Sequence, residues 1–437
     1  MTEKANREKK ESNVWKKTNR EEMEAFYGLL LLAGAFKAQY RSTEELWSEK
    51  EGQAVFRATM SRIRFATLKG NLRFDDPLRR DRNDPIAPVR DVMTSFISSL
   101  RQYVTAPEYL CIDEQLLEYH GRVRFRQYIP SKPGKFGIKI FWLTDSTGKY
   151  CFNGLTYIGK GTLSEKQRSE SSSLAEAIVM NLMDPFLNNG RHLTADNWFS
   201  SVKLVERLLE NGTTYVGTIR KNQRALPPSL KDMAGRNHGD VQFAHNQSML
   251  LVSFWDKGTS PVLIIDSLHR GHEMVGEKPS SITFYNETKS GVDTLDKKIR
   301  AYSSKRKCRR WPFGFICNFL DISCINAMYL MNKSSDDKKY HYSFIKNVGY
   351  QLVDSHIRRR LVNTKGLKNS VITAMKMIGY KVEPQPECHA THLEKARRCQ
   401  LCPYSKDLKT KSACCKCSRA MCSTHRAFLC TECALLP

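Results

Sequence analysis

At Tyr109 the spacing of apolar residues changes, and that change limits the folds open to the chain. Before it, Val89, Val92, Met93, Phe96, Ile97, Leu100, Tyr103 and Val104 recur at i, i+3, i+4 and i+7, the stripe of an amphipathic helix. After it, short runs rich in β-branched and aromatic residues predict strands at 109–113, 138–144, 150–155, 191–195 and 213–219. A further strand is predicted where Arg122, Arg124 and Arg126 alternate with Val123 and Phe125, giving one basic and one apolar face. Asp145-Ser-Thr-Gly-Lys149 closes a hairpin, and helices are predicted at 173–183 and 202–210. The principal order is therefore β-β-β-α-β-α-β, an antiparallel meander followed by helix-linked crossovers.

That order is the one of a ribonuclease H-like mixed α/β sheet. A chain of 437 residues exceeds one ordinary core, so the fold class read from it is α+β and multidomain. A polar, disordered lead-in is expected at 1–16. A helical domain follows at 17–106, opened by the capping box Thr18-x-x-Glu21 ahead of an apolar run at 25–36. The ribonuclease H-like α/β domain begins at 107–221, is interrupted at 222–285 by a β-rich insertion with strand-like runs at 249–254 and 261–265, and resumes at 286–380. There a helix near Ser290 and two more at 311–330 and 340–362 are predicted. Residues 381–398 read as a Pro- and charge-rich linker, and 399–433 as a cysteine-rich zinc-binding module.

The balance of 70 Lys and Arg against 45 Asp and Glu, a net +25, points to a polyanionic partner bound through counterion release. The first twenty residues lack the apolar core of a secretory signal. The run at 25–36 is shorter than the roughly 20 residues that cross a bilayer, so a soluble intracellular protein without a membrane partner is expected. Nine of the 14 cysteines follow position 387, a clustering that suits metal ligation better than a disulfide frame.

Three acids stand at element ends: Asp113 after an apolar run, Asp196 in Arg191-His-Leu-Thr-Ala-Asp-Asn-Trp-Phe-Ser200, and Asp293 in Ser290-Gly-Val-Asp293. Hard ions such as Mg2+ or Mn2+ take carboxylate oxygens, and a pair of them roughly 3.5 to 4 Å apart needs acids from several elements. Asp296, three residues beyond Asp293, is a candidate fourth acid on the same helix face. Each has a structural alternative: Asp196 and Asp293 as helix caps, Asp113 as a turn residue.

Lys305-Arg-Lys-Cys-Arg-Arg-Trp311 sets five cations, Lys305, Arg306, Lys307, Arg309 and Arg310, before an aromatic. Such a run suits phosphates, with Trp311 stacking on an unpaired base; a nuclear-import signal and a core tryptophan are the alternatives. Lys132, Lys135 and Lys139 form a second basic strip. In the tail, Cys399-x-x-Cys402, Cys414-x-x-Cys417, Cys422-x-x-His425 and Cys430-x-x-Cys433 supply eight ligands, the number for two tetrahedral Zn2+ sites. Both interleaved and sequential pairing fit the spacing, and Cys415 stands as a spare beside Cys414. The tail alone would also suit a protein-interaction finger of RING or PHD type.

Read whole, the chain resembles the piggyBac-type DDE transposases. The resemblance rests on Cys111-Ile-Asp-Glu-Gln-Leu-Leu117, Tyr128-Ile-Pro-Ser-Lys-Pro-Gly-Lys-Phe-Gly-Ile-Lys139, Asp196-Asn-Trp-Phe-Ser200, Tyr285-Asn-Glu-Thr-Lys-Ser-Gly-Val-Asp-Thr-Leu-Asp296, Arg310-Trp-Pro312 and the Cys/His tail. It implies catalytic roles for Asp113, Asp196 and Asp293 with Asp296 in the same site, two Mg2+ or Mn2+ ions and two Zn2+ ions. It further implies nicking at a transposon end, a hairpin intermediate, and transfer into TTAA targets. DNA with terminal inverted repeats as partner, a homodimer formed through the helical segments, binding of end DNA by the cysteine-rich module and a nuclear location follow from the same resemblance. The alternative is a host-retained derivative that binds DNA or chromatin without cutting it.

Overall fold

The computed structural model describes residues 15–232, 234–364, 366–382, 391–414 and 417–425. These divide between two compact units, one drawn from 1–29, 41–70 and 348–437, the other from 30–40 and 71–347. The helical segment 17–106 is thus shared between units instead of forming one domain.

Helix α1 (Arg20–Ala35) starts one residue later than the capping box predicts: Asn19 Oδ1 accepts from the Glu22 amide at 3.0 Å, so Asn19 is the cap. In the first unit α2 (Thr43–Trp47), α3 (Ala54–Thr59) and α4 (Arg62–Asn71) pack by an aromatic cluster of Phe26, Trp47, Phe56 and Phe65. The Arg64 guanidinium donates to both oxygens of Glu22 at 2.8 and 2.6 Å, holding that carboxyl down to about 2 against the opposing pull of burial.

The second unit is built on a nine-stranded sheet. Strand β1 (Tyr109–Glu118) lies between β3 (Phe136–Asp145), antiparallel to it, and β5 (Arg191–Ala195), parallel to it; β4 (Cys151–Thr156) pairs with β3 and β6 (Thr213–Thr218) with β5. The sheet order β4-β3-β1-β5-β6 is the meander and crossover arrangement that the periodicity predicts. Before β1, α5 (Arg90–Leu100) supplies the predicted stripe, with Phe96 stacked on Phe319 at 4.1 Å and the Leu100 carbonyl accepting from the Tyr150 hydroxyl. After β4 come α6 (Glu165–Ser169) and α7 (Leu174–Met183); α8 (Val202–Glu210) joins β5 to β6 and buries Leu204, Val205 and Leu208 against the sheet.

Two expectations about strands need correction. Arg122 and Arg124 lie in a turn, where the Arg126 amide donates to Val123 O; only β2 (Arg126–Tyr128) is strand, paired to the edge of β3. The alternation there is that of a turn in which Phe125 alone is buried. The 222–285 segment is not a separate subdomain either. Its strands β7 (Val241–His245), β8 (Leu250–Phe254) and β9 (Val262–Asp266) continue the sheet, with β9 antiparallel to β6 from Val216 opposite Asp266. Without them β6 would present a row of unpaired backbone groups to water.

A small ribbon of β10 (Met274–Val275) and β11 (Lys278–Pro279) leads into α9 (Ser280–Thr288) and α10 (Gly291–Ala301), so helix resumes ten residues before Ser290. The long α11 (Trp311–Ser334) is apolar enough to cross a membrane, yet most of its apolar window is buried in protein. It also buries Asn318, Asp321 and Asn326, and Asn326 bonds both amide and carbonyl of Cys151. Beyond it lie α12 (His341–Val362) and α13 (Asn369–Met377), the latter packed on α3. The second half of the expected linker is β12 (Thr391–Arg398), paired with β13 (Lys409–Ala413), so the cysteine-rich module begins before Cys399.

Beneath the sheet runs a closed polar network. Gln115 Oε1 accepts from Trp142 Nε1 and Asn318 Nδ2, each at 2.9 Å, and Gln115 Nε2 donates to Asp296 Oδ1 at 2.8 Å. Removing one donor from such a buried set costs about 1–3 kcal/mol. Trp142→Phe is therefore expected to lower the midpoint of thermal unfolding by several degrees; an unchanged midpoint would mean the network carries no stability.

Candidate functional site

Parallel pairing sets Ile112 of β1 opposite Ala195 of β5, so the next residue of each strand, Asp113 and Asp196, meet at the same level. Together with Glu114 they form a cluster whose carboxylate oxygens lie within 4.8 Å of one another. Asp196 is fixed by its own turn. Its Oδ1 accepts from the Trp198 amide at 2.9 Å and its carbonyl from Ser200 Oγ, which also meets the buried Tyr215 hydroxyl at 2.6 Å. Trp198 stacks on Phe141 at 5.3 Å, a core position.

Burial and the nearby Glu114 and Asp196 charges push the Asp113 carboxyl up to about 8, with Lys132 opposing. Burial, helped by Glu114, also raises Asp196. Two lysines flank Glu114. Lys139 Nζ lies 3.8 Å from Oε2 and over the rings of Phe141 and Trp198; burial lowers its pKa against the pull of the acids. Lys132 Nζ lies 3.9 Å from Oε1, and there Asp113, Glu114 and Asp293 outweigh burial and raise it.

Asp293 and Asp296 come from α10, which approaches β1 and β3 closely because Gly291 has no side chain: a Cβ there would meet Asp145 O of β3 at 2.4 Å and Cys111 Cβ of β1 at 3.0 Å. Ser290 makes no side-chain cap bond at this helix start, and Asp293 instead reaches Lys132 Nζ at 3.4 Å. Its side chain is 65% exposed, and it stands outside the three-carboxylate cluster. Asp296 turns to Gln115 and to Arg300, 2.8 Å away, as part of the polar network. The acid that sequence reasoning passed over is Glu114, quoted there only as a neighbour of Asp113; two adjacent acids at the middle of a buried strand were the available signal.

The basic residues sort differently from expectation. Lys132 and Lys139 point at carboxylates, while Lys135 is exposed in the loop between β2 and β3. In the 305–310 run, Lys305 Nζ donates to Glu118 O, Arg306 to Ala38 O and Arg310 to Leu72 O, satisfying backbone carbonyls. Lys307 and Arg309 are the exposed cations of that run. Trp311 is half-buried with its ring edge-on to Phe125 at 5.3 Å, the packing alternative to base stacking.

In the tail, Cys399, Cys402, Cys422 and His425 converge, with ligand atoms within 4.8 Å of one another. His425 Nδ1 lies 3.3, 3.6 and 3.7 Å from the sulfurs of Cys422, Cys402 and Cys399. The first and third Cys-x-x pairs therefore share one site, as interleaved pairing requires. Cys414 is buried beside Met421 and Cys417; Cys415, Cys430 and Cys433 lie outside the described residues.

The family model described as Transposase IS4 matches residues 1–328, three quarters of the chain. The chain is 32% identical to a piggyBac transposase solved as a synaptic complex with hairpin DNA, superposing with a TM-score of 0.79 over 96% of this chain and 89% of that one. The chain belongs to the piggyBac-type DDE transposase family. Among its relatives, PiggyBac transposable element-derived protein 3 of Homo sapiens is 22% identical over 89% of this chain and 69% of its own length. PiggyBac transposable element-derived protein 2 of the same species is 23% identical over 90% of this chain and 68% of its own. DDE family membership implies a divalent metal, and three carboxylates with no softer donor fit a hard ion.

An ion held by Asp113 would take its ionised form, which burial and the neighbouring acid charges disfavour by pushing the carboxyl up to about 8. Affinity for Mn2+ should accordingly rise as the pH is raised through that value, with proton release detectable by calorimetry in buffers of different ionisation enthalpy. Affinity independent of pH would contradict Asp113 as a ligand.

Proposed function

We propose that this chain is a metal-dependent DNA transposase that excises and inserts an element by phosphoryl transfer. The observation that carries this reading is the Asp113, Glu114 and Asp196 cluster, placed at adjoining strand positions in a chain of the DDE transposase family. Divalent ions held there supply Lewis-acid activation of the attacking oxygen and stabilise the leaving one. Asp113, Asp196 and Asp293 are the proposed ligands, with Glu114 beside them and Asp296 holding Gln115 under the strand that presents them. Nicking at the element's ends, a hairpin intermediate and insertion at TTAA belong to the same proposal, supported by the likeness to a transposase solved with hairpin DNA.

The substrate is double-stranded DNA bearing terminal inverted repeats, to which the net charge of +25 contributes attraction. Lys135, Lys307 and Arg309, which are exposed, are proposed to meet phosphates. The Cys399, Cys402, Cys422, His425 set is proposed to hold Zn2+ and to order the tail as an end-binding module; its three sulfurs and one imidazole suit that ion. A second Zn2+ would take Cys414, Cys417, Cys430 and Cys433. A homodimer and a nuclear location complete the reading. The human relatives, named as transposable element-derived proteins, favour a second one: a retained DNA-binding protein that no longer cuts.

An excision assay with the inverted repeats flanking the gene, in Mg2+, separates the two. The transposase reading predicts cleavage at the ends that falls by about two orders of magnitude or more in Asp196→Asn. Binding of those ends without cleavage would support the retained derivative, and equal cleavage by Asp196→Asn would remove the carboxylates from the chemistry.

A further inference from the structure

Lys132 places a positive charge among the acids from an unusual base. It sits in the 129–135 loop between β2 and β3, which is closed by the Ile129 amide donating to Lys135 O at 2.8 Å and the Lys132 amide to Ile129 O at 3.2 Å. Ser131, Pro133 and Lys135 on either side of it are exposed, whereas the Lys132 side chain is only 18% exposed. Its ammonium donates to the Glu114 carbonyl at 3.0 Å and lies 3.4 Å from Asp293 Oδ1 and 3.9 Å from Glu114 Oε1. It thereby links an acid of β1 to the acid of α10 that stands outside the three-carboxylate cluster. Lys139, the other flanking cation, rises from the strand β3 and is held over two aromatic rings. Lys132 differs in having a loop backbone and a flexible four-carbon stem, so it can withdraw.

We propose that Lys132 is a built-in counter-cation that competes with the divalent ion for the Glu114 and Asp293 side of the site and swings out when the ion enters. The inference rests on the proposed reading that Asp113, Asp196 and Asp293, with Glu114 beside them, bind a divalent metal. A single ammonium within 4 Å of both carboxylates offsets one of their two charges and repels an incoming doubly charged ion, an effect worth at least about a factor of ten in affinity even at high effective dielectric. With Lys132 in place, Asp293 is held towards β1 before the ion arrives. Entry of the ion then exchanges one cation for another instead of drawing together bare negative charges.

The test is titration of the full chain with Mn2+ alone, without DNA, followed by the electron paramagnetic resonance signal of free Mn2+. Lys132→Met is expected to bind about tenfold more tightly than the parent at the site lost in Asp196→Asn, and Lys132→Arg to bind as the parent does. Should Lys132→Met fail to fold, the nearly isosteric Lys132→Gln is read in the same way. Equal affinity in the parent and the neutral variant, or tighter binding in Lys132→Arg as well, would overturn the competition. No Asp196-dependent Mn2+ binding in the parent or any variant would overturn the metal-site reading and this inference with it.

Discussion

The structure depends on one register. Parallel pairing of β1 with β5, fixed from Tyr109 opposite His192 to Ile112 opposite Ala195, brings two aspartates 83 residues apart in sequence to one level of the sheet. A slip of one residue would turn every side chain of β5 to the other face and separate Asp196 from Asp113. The surrounding core resists such a slip, because Leu110, Ile112, Leu193 and Ala195 are all buried in one apolar cluster with the helices α7 and α8.

Holding three acids together in a half-buried place raises the ionisation cost of Asp113 and Asp196, and the chain sets lysines beside the cluster. Lys132 and Lys139 both approach Glu114, while burial and the neighbouring charges favour the protonated form of Asp113. The same economy appears two residues along, on the face of β1 that carries Asp113. There Gln115 ties Trp142, Asn318 and Asp296 into a network in which each of these polar groups has a partner, so the strand that presents the acids is tied to β3, α10 and α11.

Much of this was legible in the chain, and for physical reasons. Strands with strong apolar runs, such as 109–113 and 191–195, and the stripe of α5 follow from periodicity alone. The basic strand at 122–126 failed because alternation over five residues is also met by a turn with one buried ring, Phe125. The 222–285 segment was legible as β-rich, but its place at the β6 edge depends on long-range pairing that local pattern does not carry. Likewise Lys132 and Lys139 had the composition of a DNA-facing strip, and only tertiary structure reveals the carboxylates opposite them. Charge counts speak to partners; they do not say which cations are already paired inside. The Cys-x-x spacing left interleaved and sequential ligation open, and the convergence of Cys399, Cys402, Cys422 and His425 decides the first site.

The divalent ion proposed to sit between β1, β5 and the start of α10 can be located by the chemistry of a substituted ion. Fe2+ loaded in place of Mg2+ and treated with hydrogen peroxide and ascorbate generates hydroxyl radicals, the peroxide being reduced by Fe2+ and ascorbate returning the Fe3+ to Fe2+; the radicals cut the backbone beside the bound ion, and the fragments can be mapped by mass spectrometry. The account predicts cuts near 113–114, 196 and 293 that are suppressed by excess Mg2+. Cuts confined to the cysteine-rich module, or cuts near those acids that Mg2+ does not suppress, would contradict it.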